Sequence, residues 1–364
     1  MNYNTQIFIQ GREISLNSPT YFIADIAANH DGDLQRAKEL IWLAKKAGAD
    51  AAKFQHFKAS RIVSDFGFKH LGGQLSHQSK WKKGVYEIYE QYECNRGWTE
   101  ELAKTAKDAN ISFLTTPYDL EAVEMLDRYI LAYKIGSGDI TWTDFIEVVS
   151  KKNKPVLLAT GASTMEDVER AVDVILARNP NIVLLQCNTN YTGSMENFQY
   201  VNLRVLSTYG IRFPQMLLGL SDHTPGHSTV LGAIALGARV IEKHFTDDNN
   251  REGPDHPFSM NPQSWRQMIE RSRELELSLG TGVKRVERNE MDTVVVQQRC
   301  LRLTRHMKSG ERLTTDDLEA LRPAPAGSVK PYDLSKIIGA TLKVSKVAGD
   351  ALYQTDFMIE RREM

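Results

Sequence analysis

Apolar and polar positions follow two alternating periods along most of the chain. From residue 21 to about residue 280, short apolar runs rich in strand-forming residues are each followed by a longer stretch with helical spacing. The strand candidates are residues 21–28, 51–55, 111–117, 132–137, 154–160, 182–188, 216–222 and 238–245. This repetition of strand and helix predicts a parallel sheet covered by helices.

The first predicted helix, residues 34–47, shows the amphipathic pattern clearly. One face carries its apolar residues, Leu34, Ala37, Leu40, Ile41, Ala44 and Ala47. Asp31 and Asp33 precede this face and offer caps for the helix N-terminus.

The number of repeats decides between two kinds of parallel sheet. Eight strand and helix units within about 250 residues fit a closed (β/α)8 barrel better than an open doubly wound sheet. A nucleotide-binding Rossmann fold also lacks its glycine fingerprint, because Gly136 and Gly138 follow a strand without completing that motif. We therefore predict a (β/α)8 TIM barrel.

Two segments break the repeat. Residues 56–96 interrupt it after the second strand, either as a lid over the active-site face or as a plain structural insertion. After residue 284 the pattern changes to short β-like runs with glycine turns and no long helix. We predict a catalytic barrel with an N-terminal β extension over residues 1–284 and a small β-rich domain over residues 285–364.

Composition narrows the class of protein. Apolar residues make up 41% and charged residues 25% of the 364 residues, and no apolar run approaches the roughly 20 residues that cross a bilayer. The N-terminus lacks the pattern of an export signal, so we expect a cytoplasmic protein without a membrane partner. Cys94, Cys187 and Cys300 lack CxxC spacing, which argues against a disulfide framework and against a cysteine zinc site. A net charge of -1 disfavours nucleic acid as a partner.

Polar residues gather where the predicted strands end. In a barrel of this type the reactive groups lie at the carboxyl ends of the strands. The residues found there include Asp25, Lys53, Gln55, Thr116, Lys134, Ser137, Asp139, Asn188, Ser221, His223, Glu242 and His244. Such a ring is hard to explain as a hydrophobic core, and it predicts an active site.

His223 and His244 follow the seventh and eighth strands, which are neighbours in a barrel. Both imidazoles could therefore bind one divalent cation together with carboxylate and water. The absence of cysteine ligands and the oxygen-rich surroundings favour Mn²⁺, with Mg²⁺ or Co²⁺ as alternatives, over structural zinc.

Lys53 and Lys134 occupy strands two and four at positions where aliphatic residues are expected. Buried lysines without partners are costly, and an anion with a phosphate and a carboxylate would neutralise both, helped by Ser137 and Ser221. Salt bridges to nearby carboxylates, or a Schiff-base role for either lysine, are the alternatives. Asp25 could act as a general base, or merely cap the chain or pair with a lysine.

The strand-end residues stand in segments that resemble the sialic acid (N-acetylneuraminate) synthases and their legionaminic, pseudaminic and spore-coat-polysaccharide relatives. The resemblance covers essentially the whole chain, and its tail looks like the antifreeze-like (SAF) domain of that family. The matching segments are IADIAANHDGDLQRAKELI, AAKFQ, FLTTPYD, YKIGSGDI, LATGAS, CNTNY, LGLSDHTPG, GARVIEKHFT and GPDHPFSM.

The resemblance implies a reaction and roles for named residues. Enzymes of this family join phosphoenolpyruvate to an open-chain N-acyl hexosamine and release phosphate and a nine-carbon 2-keto-3-deoxy acid. By position, His223 and His244 resemble metal ligands. The residues that look like the phosphoenolpyruvate cradle are Lys53, Lys134, Ser137, Ser221 and either Asn188 or Thr189. The residues that resemble the acceptor-sugar wall are Gln55, Thr116, Tyr118, Asp139, Tyr191 and Asp255. Arg322 looks like the arginine that reaches a neighbouring subunit's site, which implies a domain-swapped homodimer.

The chain departs from the family pattern at several positions. Asp25 and Asp139 stand where the family usually has glutamate, and each shortening withdraws a carboxylate by one methylene. Thr192 replaces the usual proline after the tyrosine, and Ala159 replaces a common serine. These changes put the identity of the sugar in doubt, so a diacetamido hexose, another aldose or, less favourably, a non-catalytic sugar-binding role stay open.

Overall fold

The computed structural model describes residues 2–73 and 75–359. The chain forms two compact units, residues 1–280 and residues 281–364. Each unit has its own hydrophobic core.

The first unit is built around a closed, eight-stranded parallel barrel, which confirms the predicted TIM barrel. Each strand pairs with the next one along the chain, and the eighth strand pairs with the first. The barrel strands, numbered one to eight below, are Tyr21–Asp25, Ala51–His56, Ser112–Pro117, Tyr133–Ile135, Val156–Ala159, Ile182–Cys187, Leu217–Asp222 and Ala238–His244. All of them fall within or close to the predicted ranges.

Helices follow the barrel strands and cover the outside of the sheet. Helix Leu34–Lys46 buries Ala37, Leu40, Ile41 and Ala44, as its apolar spacing predicts. Asp33 caps this helix by accepting from the backbone N–H of Arg36, whereas Asp31 takes no part in the cap and pairs with Arg36. The other α-helices of the first unit are Ala59–Ile62, Asp65–Lys69, Val85–Gln91, Thr99–Asp108, Leu120–Leu126, Thr143–Ser150, Met165–Leu176, Val205–Arg212, Ser228–Ala235 and Pro262–Leu279.

Strand periodicity sorts side chains between two cores. Successive residues of a strand face opposite sides, so in the first barrel strand Tyr21 and Ile23 point into the barrel while Phe22 and Ala24 pack under the helices. The same alternation carries Asp25, two residues beyond Ile23, to the inside at the carboxyl end. Inward-facing apolar residues therefore give way to inward-facing polar residues at one end of the barrel.

An N-terminal hairpin, Gln6–Ile9 with Arg12–Ser15, packs against the barrel interior. Its Ile7, Ile9 and Ile14 are buried in the same cluster as Tyr21 and Leu217. Since Tyr21 begins its strand, the hairpin covers the amino end of the barrel and leaves the opposite end for chemistry.

Gly219 in the seventh barrel strand is required by close packing. A Cβ at this position would lie 2.3 Å from Cδ2 of Leu185 and 2.4 Å from the carbonyl oxygen of Val240. The absence of a side chain lets the seventh strand fit between its neighbours, two residues before Ser221.

The second unit is a small β-rich fold with short helical turns. Its core includes Leu301, Leu303, Val329, Leu352 and Phe357. Its strands are Cys300–Leu303, Leu318–Leu321, Thr341–Leu342 and Phe357–Met358, and its α-helices are Met291–Gln297 and Leu334–Ile337. Among the described residues of the whole chain, no helix is long and apolar enough to span a membrane.

Candidate active site

A cavity of about 370 Å³ opens at the carboxyl ends of the barrel strands. Most of the residues singled out from the sequence line it: Asp25, Lys53, Gln55, Thr116, Tyr118, Lys134, Ser137, Asp139, Tyr191, Ser221, His223, His244 and Asp255. The strand register explains this grouping, because His244 pairs with Asp25 and Asp25 pairs with Lys53 in adjacent strands.

Three of the singled-out residues are not among those that line the cavity. The side chain of Asn188 donates to the carbonyl of Tyr200, and only the Asn188 carbonyl faces the site, accepting from Nδ1 of His223 at 2.9 Å. The methyl group of Thr189 lies beside Gly161. Arg322 belongs to the second unit, where it is exposed and its Nε donates to the carbonyl of Gln297.

Lys53 is fully buried and lies in an ion pair. Its Nζ is 2.7 Å from Oδ2 of Asp25 and 3.9 Å from Oε2 of Glu242. Burial alone would lower the pKa of Lys53, but these two carboxylates outweigh it and raise the pKa above its ordinary value. Burial likewise opposes ionisation of Asp25, yet Lys53 outweighs it and lowers the pKa of Asp25, and a hydrogen bond from Gln55 acts in the same direction. The pair is therefore ionised at neutral pH.

Lys134 shares Glu242 with Lys53. Its Nζ is 3.5 Å from Oε1 of Glu242 and donates to the carbonyl of Ile135. Ser221 donates to the same Oε1 at 3.1 Å, while Oε2 of Glu242 has no hydrogen-bond partner among the described residues. Salt bridges to nearby carboxylates, one of the alternatives that the sequence left open, are thus present at both lysines, and the carboxylates come from strands one and eight.

Asp139 and Asp255 are carboxyl groups of a different kind. Burial raises the pKa of each to about 6, with Lys134 opposing the shift at Asp139. Oδ2 of Asp139 has no hydrogen-bond partner among the described residues, and Oδ2 of Asp255 accepts from the backbone N–H of Ala28. Near neutral pH both carboxyls can exchange a proton or bind a hydroxyl group.

His223 and His244 lie side by side with their ring centroids 5.4 Å apart. Burial lowers the pKa of His244 to about 3, so its ring is neutral, and its Nδ1 has no hydrogen-bond partner in the described chain. Burial would also lower the pKa of His223, but Cys187 and the Asn188 carbonyl raise it. Because a carbonyl oxygen can only accept, Nδ1 of His223 donates to it, and Nε2 is the ring nitrogen that takes no part in this hydrogen bond.

A buried ion pair lies behind the two histidines. Lys243 and Asp222 point outward from strands eight and seven and contact each other, and each precedes one histidine in sequence. Nζ of Lys243 also donates to the carbonyl of Thr224, and Asp222 accepts from the hydroxyls of Thr224 and Thr229. This network joins the backbone segments that carry His223 and His244.

The insertion after the second strand forms one wall of the cavity. It contributes a largely apolar and aromatic surface, and the side chains are Phe57, Ile62, Val63, Phe68, His77, Trp81, Ile88, Tyr89 and Tyr92. Sequence reasoning left the insertion open as lid or plain insertion and named none of these residues. Glu242 stands among the predicted strand-end residues but was given no role there. Cys187 was left out of the predicted site, although it ends the sixth strand at an inward-facing position, which is the signal that could have identified it.

Comparison with known proteins gives a consistent result. The chain matches the family model described as NeuB family over residues 40–284 and the SAF domain over residues 298–358. It is 36% identical to an N,N'-diacetyllegionaminic acid synthase of Campylobacter jejuni, over 86% of this chain and 93% of that protein. It is 31% identical to the N-acetylneuraminate-9-phosphate synthase of Homo sapiens, over 94% of each chain.

A solved structure agrees with these relatives. The N-acetylneuraminic acid (sialic acid) synthetase of Leptospira borgpetersenii superimposes with a TM-score of 0.69 and 26% identity, covering 80% of this chain and 96% of that one.

Proposed function

Because the chain belongs to the NeuB family, we propose that it condenses phosphoenolpyruvate with an open-chain N-acyl hexosamine of the N-acetylmannosamine type. The products are a nonulosonic acid and phosphate. The observation that carries the proposal is the cavity itself, in which buried Lys53 and Lys134 stand beside the paired imidazoles of His223 and His244.

Phosphoenolpyruvate is the ligand that the two lysines suit. Its phosphate and carboxylate groups can replace Glu242 as partners of the ammonium groups, while the hydroxyls of Ser137 and Ser221 donate to the same oxygens. The two lysines lie close enough to share one carboxylate, so one small molecule with two anionic groups can reach both.

The charged groups of the cavity wall favour a bound cation beside phosphoenolpyruvate. Carboxyl groups outnumber ammonium groups on its wall, with Asp25, Asp139, Asp255 and Glu242 against Lys53 and Lys134. A phosphate ester would enter a site with no surplus of positive charge. A divalent cation would restore the balance.

The two histidines fit such a cation by their donor chemistry. His244 is neutral with an unpartnered Nδ1, and His223 donates its other ring N–H to a backbone carbonyl, as metal-binding histidines commonly do. The described residues contain no cluster of three or more ligands, so substrate and water would complete the shell. We propose Mn²⁺, with Mg²⁺ or Co²⁺ as alternatives, and its chemistry there would be to polarise the acceptor aldehyde.

Protein groups can handle the protons of the reaction. Carbon-3 of phosphoenolpyruvate forms a bond to the aldehyde carbon, whose oxygen becomes a hydroxyl by taking a proton from Asp139 or Asp255. Water then adds to carbon-2, and ionised Asp25 is placed to take its proton. Cleavage of the bond between carbon-2 and the phosphate oxygen then releases phosphate, which takes the proton of the carbon-2 hydroxyl, and carbon-2 becomes the ketone.

The acceptor is proposed to be neutral. Among the described residues of one subunit, Lys53 and Lys134 are the ammonium groups of the cavity and no guanidinium lines it, so a second phosphate would face Asp139 and Asp255 there. The apolar wall suits acyl methyl groups or a deoxygenated carbon, such as those of a diacetamido hexose. That observation supports the diacetamido acceptor as a second candidate.

Phosphate release tests the proposal directly. Wild-type protein is incubated with phosphoenolpyruvate, Mn²⁺ and a panel of N-acyl and diacetamido hexosamines, and inorganic phosphate is measured. We expect release that requires one class of acceptor and stops when a chelator is added. Activity that survives chelation and is trapped by borohydride would instead assign a Schiff-base aldolase using Lys134, and no release with any sugar would favour the sugar-binding role.

The family resemblance also leads us to propose a domain-swapped homodimer in which Arg322 completes the partner's site. Subunit complementation tests this, because an Arg322→Ala chain and a His223→Ala chain are each expected to be inactive alone. Refolding them together should restore activity, since one mixed site would contain a wild-type barrel and a wild-type Arg322.

Arg299→Ala is the matched control for that experiment, because Arg299 is also exposed in the second unit and donates to a backbone carbonyl. It should retain wild-type turnover. Full activity of Arg322→Ala by itself would dismiss the shared site.

A further inference from the structure

His77 is a part of the cavity wall with no role in the reaction described above. It lies in a short 3-10 helix, Ser76–Lys80, within the insertion that follows the second barrel strand. Nδ1 of His77 is buried and has no hydrogen-bond partner among the described residues. A buried polar atom left in this way costs free energy unless a ligand or water binds it.

Aromatic neighbours fix the direction of the His77 ring. Its centroid lies 5.4 Å from that of Trp81 and 5.0 Å from that of Tyr191, with an edge-to-face arrangement at both. Tyr191 in turn packs on His223, with centroids 4.2 Å apart. His77 is therefore held next to the proposed reaction centre by contacts that leave Nδ1 unused.

The ring is suited to a neutral group. Burial lowers the pKa of His77, so the imidazole is uncharged at neutral pH and offers one donor and one acceptor nitrogen. An uncharged imidazole beside an indole ring makes a surface with one polar point and one apolar patch. An acylamino group has the same two parts, a carbonyl oxygen and a methyl group.

We propose that His77 is a specificity-determining residue that, together with Trp81, binds an acylamino substituent of the acceptor sugar. This inference rests on the proposed function and adds the residue that recognises the substituent. The amide carbonyl accepts a hydrogen bond from the imidazole, and the acyl methyl packs on the indole.

His77→Phe is the main test, because phenylalanine keeps the edge-to-face packing on Tyr191 and Trp81 but removes both ring nitrogens. We expect the KM for N-acetylmannosamine to rise about ten-fold, which corresponds to the loss of one hydrogen bond to the acceptor. The KM for phosphoenolpyruvate should not change. His77→Gln, which restores a donor, should recover part of the affinity for the acceptor.

A second ligand makes the test specific to the acyl group. Mannose, which lacks the acylamino substituent, is assayed as a competitor of N-acetylmannosamine. Its inhibition constant should be the same for wild type and His77→Phe. If His77→Phe weakens the binding of both sugars equally, or weakens neither, the assignment is overturned.

His70→Phe is the matched control, since His70 lies in the same insertion but is exposed and stacks on Phe66. The His70→Phe variant should have wild-type KM values for both substrates. Thermal unfolding should show that His77→Phe remains folded. If wild-type protein releases no phosphate with any acceptor, the proposed function fails. If wild type is active and His77→Phe matches it, the proposal for His77 alone is overturned.

Discussion

Lys53→Met is expected to reduce kcat/KM for phosphoenolpyruvate by about three orders of magnitude, the kinetic equivalent of breaking a buried ion pair at about 4 kcal/mol. Methionine has a similar length but no charge, so Asp25 and Glu242 would stand near one another without the ammonium group between them. An incoming phosphate ester would meet two carboxylates in place of a cation. Steady-state kinetics with phosphoenolpyruvate varied at saturating acceptor measure the effect.

Removing Lys53 should also change the proton chemistry of Asp25. Lys53 lowers the pKa of that carboxyl, so its loss should raise the pKa of Asp25 and make the ionised form costly. The double variant Lys53→Met with Asp25→Asn removes the unpaired charge. It should recover most of the free energy of unfolding but none of the turnover, which separates a folding defect from a catalytic one.

Lys58→Met is the control for that substitution. Lys58 follows the same strand, but its side chain is 40% exposed and its partner Glu121 is 65% exposed. Its removal should leave kcat/KM unchanged. Turnover of Lys53→Met within ten-fold of wild type would contradict the proposed role in phosphoenolpyruvate binding.

The second large effect concerns stability. Lys243→Met should lower the free energy of unfolding by about 3–5 kcal/mol, because Asp222 would remain buried without its cation. Thr224 and Thr229 would still donate to the carboxylate, so part of the network survives. Urea unfolding followed by circular dichroism at neutral pH gives the measurement, and Lys69→Met, which removes an exposed pair with Asp65, should cause little change.

The pH dependence of this effect has a definite sign. Burial opposes ionisation of Asp222, but Lys243 outweighs it and holds the pKa of Asp222 below its ordinary value of 3.8. The pair therefore contributes fully above pH 3.8 and is lost as the pH falls through the depressed pKa of the folded state. The difference in free energy of unfolding between wild type and Lys243→Met should shrink on acidification. A difference that grows instead would show that the ion pair is not its source.

The same network is expected to matter for the proposed cation site, because Asp222 and Lys243 adjoin His223 and His244 in sequence. A Lys243→Met protein that still folds should bind Mn²⁺ more weakly in a titration without substrate. This readout does not depend on turnover, so it reports on the placement of the imidazoles alone.

The sequence by itself determined the barrel and the direction in which its polar residues point. Eight strand and helix repeats specify a closed parallel sheet, and a period of two residues sends Asp25, Lys53 and Lys134 inward once Ile23, Ala51 and Ala132 face the core. These are local rules, since each depends on residues within one strand. They fixed both the end of the barrel that carries the cavity and most of the side chains that line it.

The partners across the barrel were decided only by the tertiary structure. Glu242 reaches Lys53 and Lys134 from a strand distant in sequence, and the loop conformation after the sixth strand turns the side chain of Asn188 away from the cavity. The position of His77 depends in the same way on how the insertion folds over the strand ends. Strand register, closure of the sheet and loop conformation are non-local, so the spacing of residues along the chain can place a side chain on a face but cannot specify which distant group it meets.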